Sequence, residues 1–223
     1  MNKVVPSVMC FDMLNLKTQI KQLDDAGVDM YHVDIMDGHY VPNHALNSDI
    51  VRTLKKVTDV PIDVHLMVTN PTDYIESYAD AGADYIIMHV ETLKHPIRAL
   101  KKVQALGIKA GLAVSPATCI DGFKYMIDFI DIVCVMTIDP GFAGQTLIRS
   151  SYGKIQELRR IFDEAGKDIE IMVDGQVKES TAQKLVDAGA SVLVVGNSGL
   201  FSYPPEEYKQ VVEMYQKLKR CGE

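Results

Sequence analysis

No run of this 223-residue sequence approaches the roughly 18 consecutive apolar residues that a membrane-crossing helix needs, so nothing in it reads as a membrane span. The stretch Met1–Cys10 carries one lysine and a short apolar run broken by Pro6, too little for a signal-peptide core. There is no excess of positive charge either: 23 Lys and Arg stand against 30 Asp and Glu, a formal net charge of -7. A phosphate backbone recruits basic surfaces, so no nucleic-acid partner is expected, while a small anion held at a local positive site is compatible with an acidic protein. Cysteine is sparse. Cys10, Cys119, Cys134 and Cys221 form no CxxC pair and no metal-ligand spacing, and they read as reduced thiols of a cytoplasmic protein. No linker, low-complexity segment or composition shift divides the chain, and one domain over 1–223 is expected.

What the sequence does contain is an alternation. Short β-branched runs mark eight strands: Val4–Met9, Met30–Met36, Ile62–Met67, Tyr85–Val90, Ala110–Val114, Ile132–Thr137, Ile169–Val173 and Val192–Val195. Amphipathic stretches lie between them, with a last helix near Glu206–Lys219. Eight strands alternating with eight helices predict a parallel sheet, and at this length a closed (β/α)8 TIM barrel of the α/β class. An open doubly wound sheet is the alternative. A short repeat supports the alternation: Asp25-Ala26-Gly27-Val28-Asp29, Asp80-Ala81-Gly82-Ala83-Asp84 and Asp187-Ala188-Gly189-Ala190-Ser191 each precede a strand. Each fits a helix that ends on a glycine cap and turns tightly into buried β-structure.

Buried parallel strands should be almost wholly apolar, yet three of these are not. Strand two holds His32, Asp34 and Met36, strand three His65 and Met67, strand seven Met172 and Asp174. Side chains alternate faces along a strand, so each set shares one face, while Val33, Ile35, Val64, Leu66, Ile171 and Val173 share the other, suited to packing under helices. The polar set must then point into the barrel near its C-terminal mouth, where barrel enzymes place their chemistry. Two imidazoles and two carboxylates converging there suit one divalent metal ion: Zn, Mn, Co or Fe(II). Unpaired buried charge is too costly to leave without a purpose.

The loops beyond the strand ends are rich in glycine. Thr137–Gln145 contains Gly141, Phe142, Ala143 and Gly144 and could cover a substrate. Gly175 and Gln176 follow strand seven, and Gly196, Asn197, Ser198 and Gly199 follow strand eight. In barrels the loops after strands seven and eight commonly bind phosphate through backbone N–H groups, and Ser198 could add a hydroxyl. Ser7 and Met9 share parity on strand one. Met9, Met36, Met67, Met136 and Met172 sit near strand ends, where most of them could form a soft, dry lining for a reactive intermediate.

The motifs His32-x-Asp34-Ile35-Met36-Asp37-Gly38, His65-Leu66-Met67-Val68, Met136-Thr137-x-x-Pro140-Gly141-Phe142-x-Gly144-Gln145 and Val173-Asp174-Gly175 closely resemble the ribulose-phosphate 3-epimerase family, in order and spacing, from Pro6-Ser7 to about Phe201. Pentose-phosphate members of that family usually carry two glycines after the strand-seven Asp, Gly-Phe-Gly-Gly after strand six and a Gly-Ser pair after strand eight. This chain has Gly175-Gln176, Gly141-Phe142-Ala143-Gly144 and Gly196-Asn197-Ser198. It resembles in these places the branch acting on allulose 6-phosphate.

The resemblance implies C3 epimerisation of a ketose phosphate through a cis-enediolate, D-allulose 6-phosphate to D-fructose 6-phosphate or, alternatively, D-ribulose 5-phosphate to D-xylulose 5-phosphate. It implies Asp34 and Asp174 as the exchanging base and acid. His32, Asp34, His65 and Asp174 are the implied metal ligands. Ser7 and His65 are implied substrate contacts, together with Gly141–Gly144 as a cover and Gly175, Gln176, Gly196, Asn197 and Ser198 at the phosphate. Homo-oligomers are common among such relatives and are expected here. A metal-dependent aldolase or lyase and a non-catalytic sugar-phosphate sensor are the competing readings. A Schiff-base aldolase is disfavoured because no strand carries an inward lysine.

Overall fold

A computed structural model describes residues 1–221 of the chain. Nine strands form one sheet: β1 Lys3–Pro6, β2 Tyr31–Asp37, β3 His44–Ala45, β4 Ile62–Met67, β5 Tyr85–His89, β6 Lys109–Val114, β7 Ile132–Met136, β8 Glu170–Asp174 and β9 Val192–Val195. Their order is β1-β9-β8-β7-β6-β5-β4-β2-β3. All pair in parallel except β3, which folds back on β2 in a short antiparallel hairpin that the periodicity does not reveal. The sheet curls until β1 meets β2. There Ser7 bridges His32, and the Asp29 N–H donates to the Val4 carbonyl, so the (β/α)8 barrel closes.

Seven α-helices lie around it among the described residues: α1 Leu16–Ala26, α2 Ser48–Leu54, α3 Ile75–Ala81, α4 Pro96–Gln104, α5 Ser150–Glu164, α6 Glu179–Ala188 and α7 Tyr208–Gln216. The eighth expected helix is absent between β6 and β7. Pro116 and Gly122 interrupt that segment, which buries Phe123, Met126 and Ile130 from two short 3-10 turns instead. Strand one is shorter than expected. Its ladder with β9 ends at Pro6–Val195, and Val8–Cys10 winds into a 3-10 turn that carries Met9 off the strand.

The repeat works at the bottom of the barrel as its spacing suggests. Gly27, Gly82 and Gly189 cap α1, α3 and α6 at φ of 81°, 100° and 116°, where a Cβ would be strained. The last residue of each repeat then accepts a backbone N–H at the foot of the neighbouring strand. Asp29 Oδ2 takes Val4 N at 2.8 Å, Asp84 Oδ2 takes Ile62 N at 2.8 Å, and Ser191 Oγ takes Ile171 N at 3.2 Å. Asp131 does the same for Ala110, at 2.8 Å.

Between barrel and helices lies the main core. Val33, Ile35, Val64, Leu66, Ile171 and Val173 face outward into it, against helix stripes such as Ile20, Leu23 and Ala26 of α1. Burying each large aliphatic side chain contributes about 1.5–3 kcal/mol. Inside the barrel, the lower layer is filled by Val5, Met30, Tyr85, Ile87, Ile132, Met172 and their neighbours. Met172 therefore packs a layer below the site and does not line it, in contrast to its fellow strand-end methionines. The upper layer, above that apolar floor, is polar.

Candidate active site

β2 projects His32 and Asp34 inward from alternate positions, β4 projects Asp63 and His65, and β8 ends on Asp174. One donor atom from each of His32, Asp34, His65 and Asp174 lies within 4.8 Å of all the others. His32 Nε2 stands 3.1 Å from Asp34 Oδ1 and 3.8 Å from Asp174 Oδ2, and His65 Nδ1 stands 3.3 Å from Asp34 Oδ1. Four donors of the N and O type aimed at one point fit a divalent ion. Around the ring, Asp34 and Asp174 flank β1 and β9, and Ser7 beyond β1 donates its hydroxyl to Asp34 Oδ2 at 2.8 Å.

The two aspartates differ in environment. Burial works to raise the Asp34 carboxyl, but His32, and hydrogen bonds from His32 and His65, outweigh it and hold Asp34 well below the usual carboxylate range. Asp174 has no such donors. Burial and the nearby Asp34 charge push it up, so it keeps a proton more readily. Burial alone would make His32 neutral. The Asp63 and Asp34 carboxylates on its two nitrogens outweigh that and raise its pKa well above the ordinary value.

Asp63 and His89 escape the strand reading, although both could have been found by it. Asp63 shares the inward parity of His65, and its Oδ1 lies 2.6 Å from His32 Nδ1 in a wholly buried pair. A carboxylate on the far nitrogen of a ligand histidine sets the ring's orientation and basicity. His89 ends β5 with inward parity and is equally buried, its Nε2 at 3.0 Å from His65 Nε2. Burial lowers it to about 4, against a rise from Glu91, so it is a neutral imidazole.

A cavity of about 280 Å³ opens above this cluster. Ser7, Met9, Met36, Met67 and Met136 line it, and so do Asp34 and Asp174. The loops contribute Gly141, Phe142, Ala143, Gly144, Gly175, Gln176, Gly196, Asn197 and Ser198. His65 is the exception among the expected substrate contacts. It is fully buried beneath the cavity and reaches it only through the cluster. Cys10, Ile138 and Val177 join the lining unexpectedly. The volume suits a small sugar phosphate and is too small for a dinucleotide.

Gly175 has a φ of 113°, and a Cβ there would stand 2.6 Å from Ile138. Gln176 follows in the left-handed region at φ 53°, a conformation that glycine takes more easily. The loop after β7 is tied down from two sides: Gln145 Nε2 donates to the Asp139 and Phe142 carbonyls, and Asn43 Nδ2 to the Gly141 carbonyl. Phe142 is left 49% exposed at the rim.

Residues 3–201 match the model of the ribulose-phosphate 3-epimerase family. The chain belongs to that family. It is 42% identical over 199 residues to the ribulose-phosphate 3-epimerase of Bacillus subtilis, covering 89% of this chain and 92% of that one. It is 40% identical over 220 residues to the enzyme of that name from Buchnera aphidicola, covering 97% and 95%. Membership makes the chain an isomerase of the epimerase type. Among solved structures it resembles a tryptophan synthase α-subunit from Pyrococcus furiosus, with a TM-score of 0.67 at 16% identity over 97% of both chains, a likeness of fold alone. No helix of the described residues is long and apolar enough to cross a membrane.

Proposed function

We propose that this family member is a metal-dependent ketose-phosphate 3-epimerase whose substrate is D-allulose 6-phosphate, interconverted with D-fructose 6-phosphate. The observation that carries the substrate is the position of the departures from the pentose-phosphate pattern. Ala143, Gln176 and Asn197 all line the cavity from its loops, while His32, Asp34, His65 and Asp174 are intact beneath it. The departures therefore bear on what is held and leave the proton chemistry alone.

The phosphate is held at Gly175, Gln176, Gly196, Asn197 and Ser198, through backbone N–H groups and the Ser198 hydroxyl. This places the sugar's C2 and C3 over the carboxylates. His32, Asp34, His65 and Asp174 would hold a divalent ion, which when bound would supply Lewis-acid stabilisation of the charge developing at the sugar. Asp34, held ionised, takes the proton, and Asp174, held nearer its protonated form, returns one to the other face; the roles exchange in reverse. Ser7 keeps Asp34 oriented and contacts a substrate hydroxyl. Met9, Met36, Met67 and Met136 keep water from the reacting carbons, and Gly141–Gly144 covers them.

The relatives, ribulose-phosphate 3-epimerases by name, favour a second reading, D-ribulose 5-phosphate to D-xylulose 5-phosphate. Steady-state kinetics on both sugars separates the two. A kcat/KM at least about tenfold higher for allulose 6-phosphate is expected, with the gap narrowing in Gln176→Gly. An equal or higher value for ribulose 5-phosphate returns the assignment to the second reading.

A further inference from the structure

The loop between β7 and α5 is a closed unit with one outside tie. At its base the Ile148 N–H donates to the Thr137 carbonyl at 2.8 Å, and within it Gln145 bridges the Asp139 and Phe142 carbonyls. Among the described residues, 138–147 make a single hydrogen bond to another part of the chain: Asn43 Nδ2 donates to the Gly141 carbonyl at 2.8 Å. Burial does little to hold the tip. Phe142, Ala143 and Gly144 are exposed, and a Cβ on Gly144 would meet nothing within 4 Å. The partner, by contrast, is fixed. Asn43 lies in the connection between β2 and β3, which Asp37 pins by accepting the His39 and Tyr40 N–H groups. Val41 of that connection is buried against Met36 and Met67, two of the methionines that line the cavity. Asn43 is itself preset. Its N–H donates to the Val41 carbonyl at 2.8 Å and its Oδ1 accepts the His44 N–H at 2.9 Å, which leaves Nδ2 for the loop. Gly141, at φ 114°, lies directly on Val41, and a Cβ there would stand 3.0 Å from the Val41 Cβ.

We infer that Asn43 is a positioning residue: through this one bond it holds the loop after β7 shut over the cavity, with Gly141 seated on Val41. A loop whose tip buries so little apolar surface has open and closed forms close in free energy, so one part-buried hydrogen bond decides between them. The bond exists only in the closed form, because an open loop carries Gly141 away from Asn43. Closure keeps water from the reacting carbons and commits the bound sugar. The inference rests on the reading of Gly141–Gly144 as a cover, and it is indifferent to which ketose phosphate is the substrate.

The chain contains no tryptophan, so Phe142→Trp supplies a single fluorophore at the loop tip. Acrylamide quenching of that indole, in the full-length protein without substrate, reports how open the tip is. Two substitutions are made in this background for fluorescence and in the otherwise unchanged protein for kinetics. Asn43→Ala removes both the donor to Gly141 and the acceptor for the His44 N–H, whereas Asn43→Asp removes the donor and keeps the acceptor. Acrylamide is uncharged, so the charge added in Asn43→Asp does not bias its approach. Both substitutions should raise the quenching constant. Both should also raise KM about 3–10-fold, with kcat changed less, for whichever of allulose 6-phosphate and ribulose 5-phosphate is turned over faster; this is the worth of one hydrogen bond lost from the closed form. Quenching unchanged in both would overturn the inference. So would a rise in Asn43→Ala with wild-type quenching in Asn43→Asp, which would mean that Asn43 acts only through its own turn. A raised quenching constant at a wild-type KM would uphold the bond as the latch of the loop and count instead against the loop as a cover.

Discussion

The two ends of the barrel use the same side chain for opposite ends. At the bottom, Asp29, Asp84 and Asp131 each accept a backbone N–H from a neighbouring strand. At the mouth, Asp34 and Asp174 are surrounded by imidazoles and by each other. A carboxylate given amide donors is a structural clasp. One ringed by imidazoles and a second carboxylate is suited to hold an ion or move a proton. The distinction lies in the groups that surround each carboxylate, because the residue type is the same.

The largest effects are expected at the mouth. Asp34→Asn and Asp174→Asn should each lower kcat/KM by roughly 10²–10⁴-fold, measured by coupled assay. Asp34→Asn removes the buried partner of His32 and should cost stability, whereas Asp174→Asn should not lower the melting temperature of the metal-free protein by more than a degree or two, because it relieves the repulsion from Asp34. A large fall in stability in Asp174→Asn would erase the contrast between the two ends. Removing divalent ions with a chelator should abolish turnover and lower the melting temperature. A thousandfold excess of ion over its Kd corresponds to about 4 kcal/mol of stabilisation.

The bottom should give the mirror result. Asp84→Ala leaves the Ile62 N–H without its acceptor and removes the Lys55 partner at 2.7 Å. Unfolding in urea should show a loss of about 1.5–3 kcal/mol with kcat unchanged. Turnover that fell in step with stability would mean that the bottom clasps position the mouth as well.

Asp37 gives the smallest effect and the sharpest comparison, since it lies at the mouth but is built like a bottom clasp. Its carboxylate accepts the His39, Tyr40 and Thr69 N–H groups. Burial slightly raises its pKa, but those backbone donors outweigh burial and lower it to about 2. A depressed pKa stabilises the fold fully above the unfolded value and progressively less as pH falls through the folded one. Wild-type stability should therefore decline between about pH 4 and pH 2, and Asp37→Asn should flatten that part of the curve. An unchanged curve would show that position along the barrel, and not the donors, decides the role.

Most of this was legible in the sequence, for identifiable reasons. Buried parallel strands tolerate so few polar residues that His32, Asp34, His65 and Asp174 stand out, and period-two parity turns them to one face. The glycine caps announce themselves by repetition. Asp63 and His89 obey the same parity but pair with other histidines rather than with the cavity, and pairing across strands depends on register that one strand does not display. The β2–β3 hairpin and the early end of β1 are decided by tertiary packing, which local periodicity does not encode, whereas the missing helix between β6 and β7 is marked in the sequence by Pro116 and Gly122. The resemblance implies His65 as a substrate contact; its side chain is fully buried and does not line the cavity.

The most direct test of the proton-transfer reading is deuterium entry at C3. Metal-replete protein would be incubated in deuterium oxide with allulose 6-phosphate and, separately, with ribulose 5-phosphate, and C3 followed by proton NMR. Deuterium should appear at C3 as the epimer forms, faster for allulose 6-phosphate, and should fail to appear in Asp34→Asn or Asp174→Asn. If neither sugar exchanges its C3 proton with Zn, Mn, Co or Fe(II) bound, the two aspartates do not perform this chemistry.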